Sequence, residues 1–164
     1  MITYQQLFSN TIKEPSKQSL FRLTMPNQDY PFQCIAESVE LSFRNTAFKQ
    51  RIAQGRNFNY ADFSNLDMLN VVFYETKDMS VKDYINKWKL LIYNPITGVF
   101  GPPKLYERTI TVEVLDEETA EVVQTMEYRG AAPADTAPIT ISYEDANGRV
   151  QITQSFAVKE LVEI

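Results

Sequence analysis

The stretch from Met126 to Val158 constrains the fold of this chain more than any other. Met126-Glu-Tyr-Arg-Gly130-Ala-Ala-Pro133 predicts a strand broken at a Gly-x-x-Pro corner. Ile139, Ile141 and Tyr143 then alternate, and Asn147-Gly148 is the strongest short hairpin signal in the chain. Val150, Ile152, Phe156 and Val158 alternate again. Period-two alternation buries one face of a strand. The stretch therefore reads as the end of a β-built module, and it gathers no catalytic residues. A chain of this kind acts through how its copies join.

The 164 residues suit one domain, long enough to bury a core without disulfides or metal. Hydrophobic residues make up 44% and charged residues 23%, the balance of an ordinary folded chain. With 16 Lys+Arg against 21 Asp+Glu the net charge is -5, which repels phosphate backbones at long range. Cys34 is the only cysteine, so there is no intramolecular disulfide framework and no thiolate-rich metal site. The chain has no histidine, and so lacks the commonest general base and neutral metal ligand. Gly-rich phosphate loops, Gly-x-Ser-x-Gly elbows and Asp-rich calcium loops are also missing from the sequence. No cofactor is expected. Met1-Ile-Thr-Tyr-Gln-Gln does not read as a secretory signal, and no apolar run approaches the roughly 20 residues of a membrane span. A cytoplasmic product is expected.

Residues 1–18 read as a loosely held N-terminal arm, in which Tyr4, Leu7, Phe8 and Ile12 have helix-like spacing for docking. Residues 19–164 read as a single β-domain. Leu20 to Met25 is a strand with Phe21, Leu23 and Met25 on one face. Pro26-Asn27-Gln28-Asp29 is a turn, and Tyr30 to Leu41 returns as an extended segment through Phe32 and Cys34.

Residues 42–63 carry Arg44, Lys49, Arg51 and Arg56 against one acid, Asp62, with Phe43, Phe48, Phe58 and Tyr60 interleaved. The pattern predicts a long hairpin whose tip near Gln54-Gly55-Arg56-Asn57 projects from the body as a protein-contact device. An acidic neighbouring copy is its natural partner. Interleaved cations and rings also suit single-stranded nucleic acid, whose bases stack on aromatics.

Met68 to Tyr74 is an apolar run expected as a central strand. Ser80 is the expected N-cap of the one clear helix, in which Val81, Tyr84, Ile85, Trp88 and Ile92 form the buried stripe, with Lys82, Lys87 and Lys89 largely opposite. Residues 94–104 hold too many Pro and Gly for regular structure and read as a loop with Ile96, Val99 and Phe100 exposed. A strand over 105–115 places Ile110, Val112 and Val114 on one face. Asp116-Glu117-Glu118-Thr119 is an acidic turn, and Glu121 to Arg129 is the next strand. Six or seven strands around one helix make a mainly β fold, an antiparallel sandwich or barrel. Its open strand edges must be covered or used.

The order Leu20-Phe21-Arg22-Leu23, Phe32-Gln33-Cys34-Ile35-Ala36, Met126 to Pro133, and Ile139-Thr140-Ile141-Ser142-Tyr143 with Asp145 at the turn resembles the tail tube proteins of contractile-tailed bacteriophages. The likeness covers about residues 19–37 and 122–160, and by order and length the rest. It extends to the tube proteins of type VI secretion and extracellular injection systems. The resemblance implies hexameric rings stacked into a hollow tube, with sheath, baseplate and tail terminator proteins as partners. DNA would pass through the lumen without specific binding, and the product would be a virion component assembled in the host cytoplasm. By family position the hairpin would reach the adjacent ring through Arg44, Phe48, Lys49, Arg51, Arg56, Phe58 and Tyr60, and the arm would meet neighbours through Tyr4, Leu7 and Phe8. The Pro-rich loop at 94–104 and the tail Lys159 to Ile164 have no counterpart in the family pattern.

A baseplate tube initiator of the same fold is the nearest alternative. From other classes, a nucleic-acid-binding β-barrel would use the aromatics of 42–63, and an enzyme would need a convergent carboxylate pair that turns and solvated faces explain more simply.

Overall fold

The computed structural model describes residues 20–26, 36–139, 141 and 148–164. The N-terminal arm with Tyr4, Leu7 and Phe8, the turn at Asn27-Gln28-Asp29, the segment through Phe32 and Cys34, and most of the hairpin expected at Asn147-Gly148 lie outside them.

The fold is mainly antiparallel β. Its strands are β1 (Phe21–Thr24), β2 (Ala36–Glu40), β3 (Arg44–Ala53), β4 (Arg56–Leu66), β5 (Leu69–Tyr74), β6 (Tyr93–Asn94), β7 (Val99–Phe100), β8 (Arg108–Leu115), β9 (Val122–Thr136), β10 (Gln151–Ala157) and β11 (Glu160–Glu163). Helix α1 (Ser80–Ile92) follows β5, and the single turn α2 (Pro103–Tyr106) precedes β8. A seven-stranded sheet runs β1-β8-β9-β10-β5-β2, with β11 on β9, and β3-β4 forms a separate hairpin.

Strand β9 joins the two halves of this sheet. Its first half lies between β8 and β11, and its second half pairs with β10. The expected break at Gly130 is instead a bend inside one 15-residue strand. Gly130 has φ +66, a conformation that costs side-chain-bearing residues energy. One residue is thereby added to the alternation: Met126 and Tyr128 are buried before the bend, Ala131 and Pro133 after it. Pro133 stays in the strand because the pairing is irregular there, opposite Gln154 and Phe156. Lys159, at the entry to β11, packs over the bend, where a Cβ on Gly130 would lie 3.0 Å from its side chain. The tail that had no place in the family pattern is thus the strand that closes this corner.

The two inner faces meet over Leu69, Val71 and Phe73 of β5, Ile152 and Phe156 of β10, Ile110 and Val112 of β8, and Met126 and Tyr128 of β9, all at most 2% exposed. Helix α1 closes this core with Val81, Tyr84, Ile85 and Trp88, while Ile92 is only half-buried. The Trp88 ring lies 5.6 Å from that of Phe156, and its indole N–H donates to the Tyr106 carbonyl at 2.6 Å. Such a partner is what a buried indole requires.

The helix start differs from expectation. The N-cap is Met79, in the left-handed region at φ 54, and Ser80 is already helical. The orphan N–H groups of Val81 and Lys82 are met by the Glu75 carboxylate, each at 3.0 Å. A carboxylate at a helix N-terminus also opposes the positive end of the helix dipole.

Residues 94–104 are more ordered than a loop. Tyr93–Asn94 pairs with Val99–Phe100, the Tyr93 and Phe100 rings are 4.8 Å apart, and Pro103 starts α2. The breakers therefore mark turns between very short elements, and β8 begins at Arg108 rather than at 105. Of the strand expected over Ile139 to Tyr143, residues Thr140, Ser142 and Tyr143 lie outside the described residues. Ile139 and Ile141 lie in no strand, Ile141 is 80% exposed, and the neighbours of β10 are β5 and β9. The acidic turn is present as read, with the Asp116 carboxylate accepting from the N–H groups of Glu118 (2.9 Å) and Thr119 (3.0 Å). The bond from Thr119, then that from Glu118, holds the Asp116 carboxyl below its ordinary pKa.

Candidate assembly surface

The β3-β4 hairpin is almost wholly exposed. Only Ala47 and Leu66 in its strands are even half-buried, yet Phe48, Ile52, Phe58, Tyr60 and Phe63 are large and exposed, Ile52 at 76%. Sequence reading found Phe48, Phe58 and Tyr60 but passed over Ile52 and Phe63. Alternation within a run of exposed apolar residues was the available signal for both.

Register sorts these side chains into two faces. Lys49 pairs with Tyr60, Arg51 with Phe58 and Ala53 with Arg56, so these residues share one face. Asp62 is the extra residue of a bulge between the Ala47–Phe63 and Phe48–Ala61 pairs, and it keeps Phe63 on that same face. The opposite face carries Phe48, Gln50 and Ile52 against Ala61, Asn59 and Asn57. Five of the seven expected contact residues, Lys49, Arg51, Arg56, Phe58 and Tyr60, are thus together. Phe48 points the other way, and Arg44 lies at the root opposite Leu66.

Arg44, Lys49, Arg51 and Arg56 against Asp62 give the hairpin a local charge of +3 in a chain of -5, so the remainder carries -8. Asp62 is ion-paired to Lys49 at 2.8 Å, which leaves the positive charge concentrated toward the tip. At the tip, Gln54 and Gly55 both have positive φ, as a two-residue hairpin turn demands.

The hairpin is anchored in the body at its root. Pairing of β2 with β5 ends at Glu40–Asn70, and β3-β4 resumes in the same register at Arg44–Leu66. Between them Ser42 is buried. Its hydroxyl donates to the Asp67 carbonyl at 2.5 Å, and its own carbonyl accepts from the Tyr128 hydroxyl at 3.1 Å. Asn45 donates to the Asp67 carboxylate. The core thereby sets where the hairpin leaves the sheet.

A second exposed apolar group lies around the end of α1: Leu90, Leu91, Tyr93, Ile96, Val99 and Phe100, with Ile96 at 92%. Beside it a groove of about 580 Å³ is lined by Asn86, Lys89, Leu90, Ile92, Tyr93, Pro95 and Pro133. Burial lowers the Lys89 pKa, an effect that Asp135 opposes, and its ammonium donates to the Thr136 hydroxyl at 2.6 Å. Lys82 and Lys87 are exposed, as the helical spacing predicts. Among the described residues no group of three His, Cys, Asp or Glu could hold a metal ion, and no helix is long and apolar enough to cross a membrane.

No family model and no curated protein sequence matches the chain. Solved structures do. A chain of the anti-feeding prophage baseplate, a cryo-EM structure that was 6-fold symmetrised, is 13% identical with a TM-score of 0.71, over 93% of this chain and 97% of that one. A chain of the anti-feeding prophage tube-terminating cap is 13% identical with a TM-score of 0.66, over 99% of each chain. A chain of the sheath-tube complex of an extracellular contractile injection system, PVC, in its extended state is 14% identical with a TM-score of 0.59, over 99% of this chain and 97% of that one. At such identities the shared property is the fold, and the chain has the antiparallel β-fold found in the baseplate, tube and cap assemblies of contractile injection systems and of the anti-feeding prophage.

Proposed function

We propose that this protein is a non-enzymatic structural subunit of a phage-type tail tube, forming hexameric rings that stack around a channel through which DNA passes. One observation carries the reading. A hairpin of more than 20 residues projects from an otherwise packed domain, exposes five large apolar side chains, and is rooted in the core by the Tyr128–Ser42 bond. Exposed apolar groups on an anchored projection lose free energy unless a partner covers them. The charge of +3 on the hairpin against -8 elsewhere makes another copy of the chain a complementary partner. The likeness to chains from 6-fold symmetrised and sheath-tube particles supports rings, a tube and neighbouring sheath, baseplate and terminator proteins. Location within a virion-like particle assembled in the host cytoplasm follows from the same reading. Arg44 and Phe48, which point away from the basic face, would contact a different neighbour or stabilise the root. Tyr4, Leu7 and Phe8 of the N-terminal arm would add a contact between subunits.

Negative-stain microscopy of the purified protein tests this directly. Hollow rings or tubes of sixfold symmetry are expected, and their loss is expected when residues 45–65 are replaced by an Asn-Gly turn. Long tubes identify the main tube subunit, and isolated rings identify a baseplate initiator. Normal tubes from the shortened variant would overturn the role of the hairpin.

The grouping of Lys49, Arg51 and Arg56 with Phe58, Tyr60 and Phe63 on one face favours one second reading, a single-stranded nucleic-acid platform. Monodisperse monomers that bind oligonucleotides in a salt-dependent way, and lose that binding when Arg51 and Arg56 become Ala, would establish it in place of the tube.

A further inference from the structure

Two exposed surfaces at opposite ends of the β8-β9 pair carry opposite charge, and both hold exposed apolar side chains. One is the end of α1 with the β6-β7 hairpin and α2. Residues 84–106 contain Lys87, Lys89 and Lys104 and no Asp or Glu. Among them Leu90, Ile96, Val99, Phe100 and Leu105 are at least 50% exposed. The cluster is tied to the body, since Trp88 donates to the Tyr106 carbonyl, Lys89 to the Thr136 hydroxyl, and the Gly101 N–H to the Ile92 carbonyl at 2.9 Å. The other surface is the turn from β8 into β9. Residues 109–128 contain Glu113, Asp116, Glu117, Glu118, Glu121 and Glu127 and no Lys or Arg. Glu113 and Glu127 are engaged within the sheet, by Arg22 and Arg129. The other four acids gather at the turn and are all exposed. Val122 and Val123 follow directly at 46% and 66% exposed, and Ile164, joined to Thr125 by two backbone hydrogen bonds, is 72% exposed.

The length of β8 separates the two surfaces. Arg108, which follows α2, pairs with Ala131, and Leu115, which precedes the turn, pairs with Val122. Seven steps of roughly 3.3 Å place these ends about 23 Å apart, so the surfaces do not meet within one chain. Complementary patches on different sides of one molecule make a heterologous contact, which closes into a ring when the rotation allows and otherwise runs on as a filament. We infer that the lysine-bearing α1 end of one copy docks on the acidic β8-β9 turn of the next, with Ile96, Val99 and Phe100 covering Val122 and Val123. This inference rests on the reading that copies of the chain assemble, and it adds a contact that does not use the β3-β4 hairpin. Charge selects the occupant. The acid-free α1 end repels the cationic hairpin and its own like on another copy, and it attracts the turn. The exposed apolar side chains on both surfaces lose their contact with water when the two meet.

Charge exchange in the full chain, followed by sedimentation velocity, tests this contact. Lys87→Glu with Lys104→Glu, and separately Glu118→Lys with Glu121→Lys, should each weaken self-association at least tenfold, because both ends of a copy then carry one sign. All four positions are exposed, so each variant should keep the far-UV circular dichroism of the parent. Mixed in equal amounts, the two variants should regain the assembled species, since each end then finds its opposite on the other variant. Parent-like assembly of either variant alone, or no recovery on mixing, would overturn the contact and leave the hairpin reading standing. Recovery of the Glu118→Lys, Glu121→Lys variant by Arg51→Glu with Arg56→Glu, in place of the α1 variant, would give the acidic turn to the hairpin and sink the proposal. Parent-like assembly of Ile96→Asp, with loss of the parent's binding to phosphatidylglycerol vesicles, would assign the α1 end to a lipid surface instead. If the parent stays monomeric at every concentration, the assembly reading fails and takes this contact with it.

Discussion

The Tyr128 hydroxyl donates to the Ser42 carbonyl across 86 residues of sequence, and this one bond joins the core to the root of the projecting hairpin. Tyr128 is fully buried, and besides the Ser42 carbonyl its hydroxyl meets only the weak acceptor Met126 Sδ at 3.8 Å. Tyr128→Phe removes the donor and leaves the Ser42 carbonyl without this bond, and should cost about 1 kcal/mol in a urea titration at pH 8. Hydrogen exchange should rise at the N–H groups flanking Ser42 before it rises in β8 or β10.

The same tyrosine makes stability depend on alkaline pH. Burial raises its pKa above the ordinary value of 10.0. A folded pKa above the unfolded one means that the folded state holds the proton more tightly. The stabilisation is therefore complete below the unfolded value and is lost as pH rises through the folded value. Melting temperature should fall more steeply above pH 10 in the parent than in Tyr128→Phe.

Helix α1 depends on a residue outside it. Glu75→Ala strips the acceptor from the N–H groups of Val81 and Lys82 and should lower stability by about 1 kcal/mol. Ser80→Ala should cost less, since Ser80 is not the cap. Chemical denaturation followed by Trp88 fluorescence distinguishes the two.

Gly101 is required by space, not by its φ. A Cβ there would lie 2.1 Å from the Leu91 carbonyl oxygen, a backbone atom that cannot swing aside. Gly101→Ala should therefore destabilise by roughly 1–3 kcal/mol. Gly98→Ala meets open space, and only its φ of +67 opposes it, at a cost of roughly 1 kcal/mol. Thermal melts of the two variants should rank in that order.

Core and assembly effects should separate. Phe156→Ala should cost about 3–5 kcal/mol, because the ring is fully buried against Trp88. Phe58→Ser with Tyr60→Ser alters only exposed positions, so the monomer should change by about 0.5 kcal/mol or less while sedimentation velocity shows loss of the assembled species.

Local pattern determined much of this protein. Alternation over β1, β8 and β10, the 3.6-residue stripe of α1, and the hairpin with its Gln54-Gly55 tip were all legible, because each depends on neighbours close in sequence, whereas the apolar run of β5 showed a central strand but not that only Leu69, Val71 and Phe73 would be fully buried. So was the grouping of cations with rings at 42–63. Tertiary structure decided the rest. Gly130 and Pro133 read as a break, because nothing local shows that β10 and β11 will pair across the bend and hold one strand together. Ser80 has the right chemistry for a cap, but Glu75 delivers two oxygens once the chain turns at Met79. The placing of Phe63 on the face of Tyr60 and Phe58 depends on one bulge at Asp62, and a bulge is a property of two paired strands. Period-two and period-3.6 patterns encode which side of an element is apolar. Which elements meet is settled by pairing and burial between residues far apart in the chain, and that decided where the hairpin, and with it the candidate assembly surface, projects.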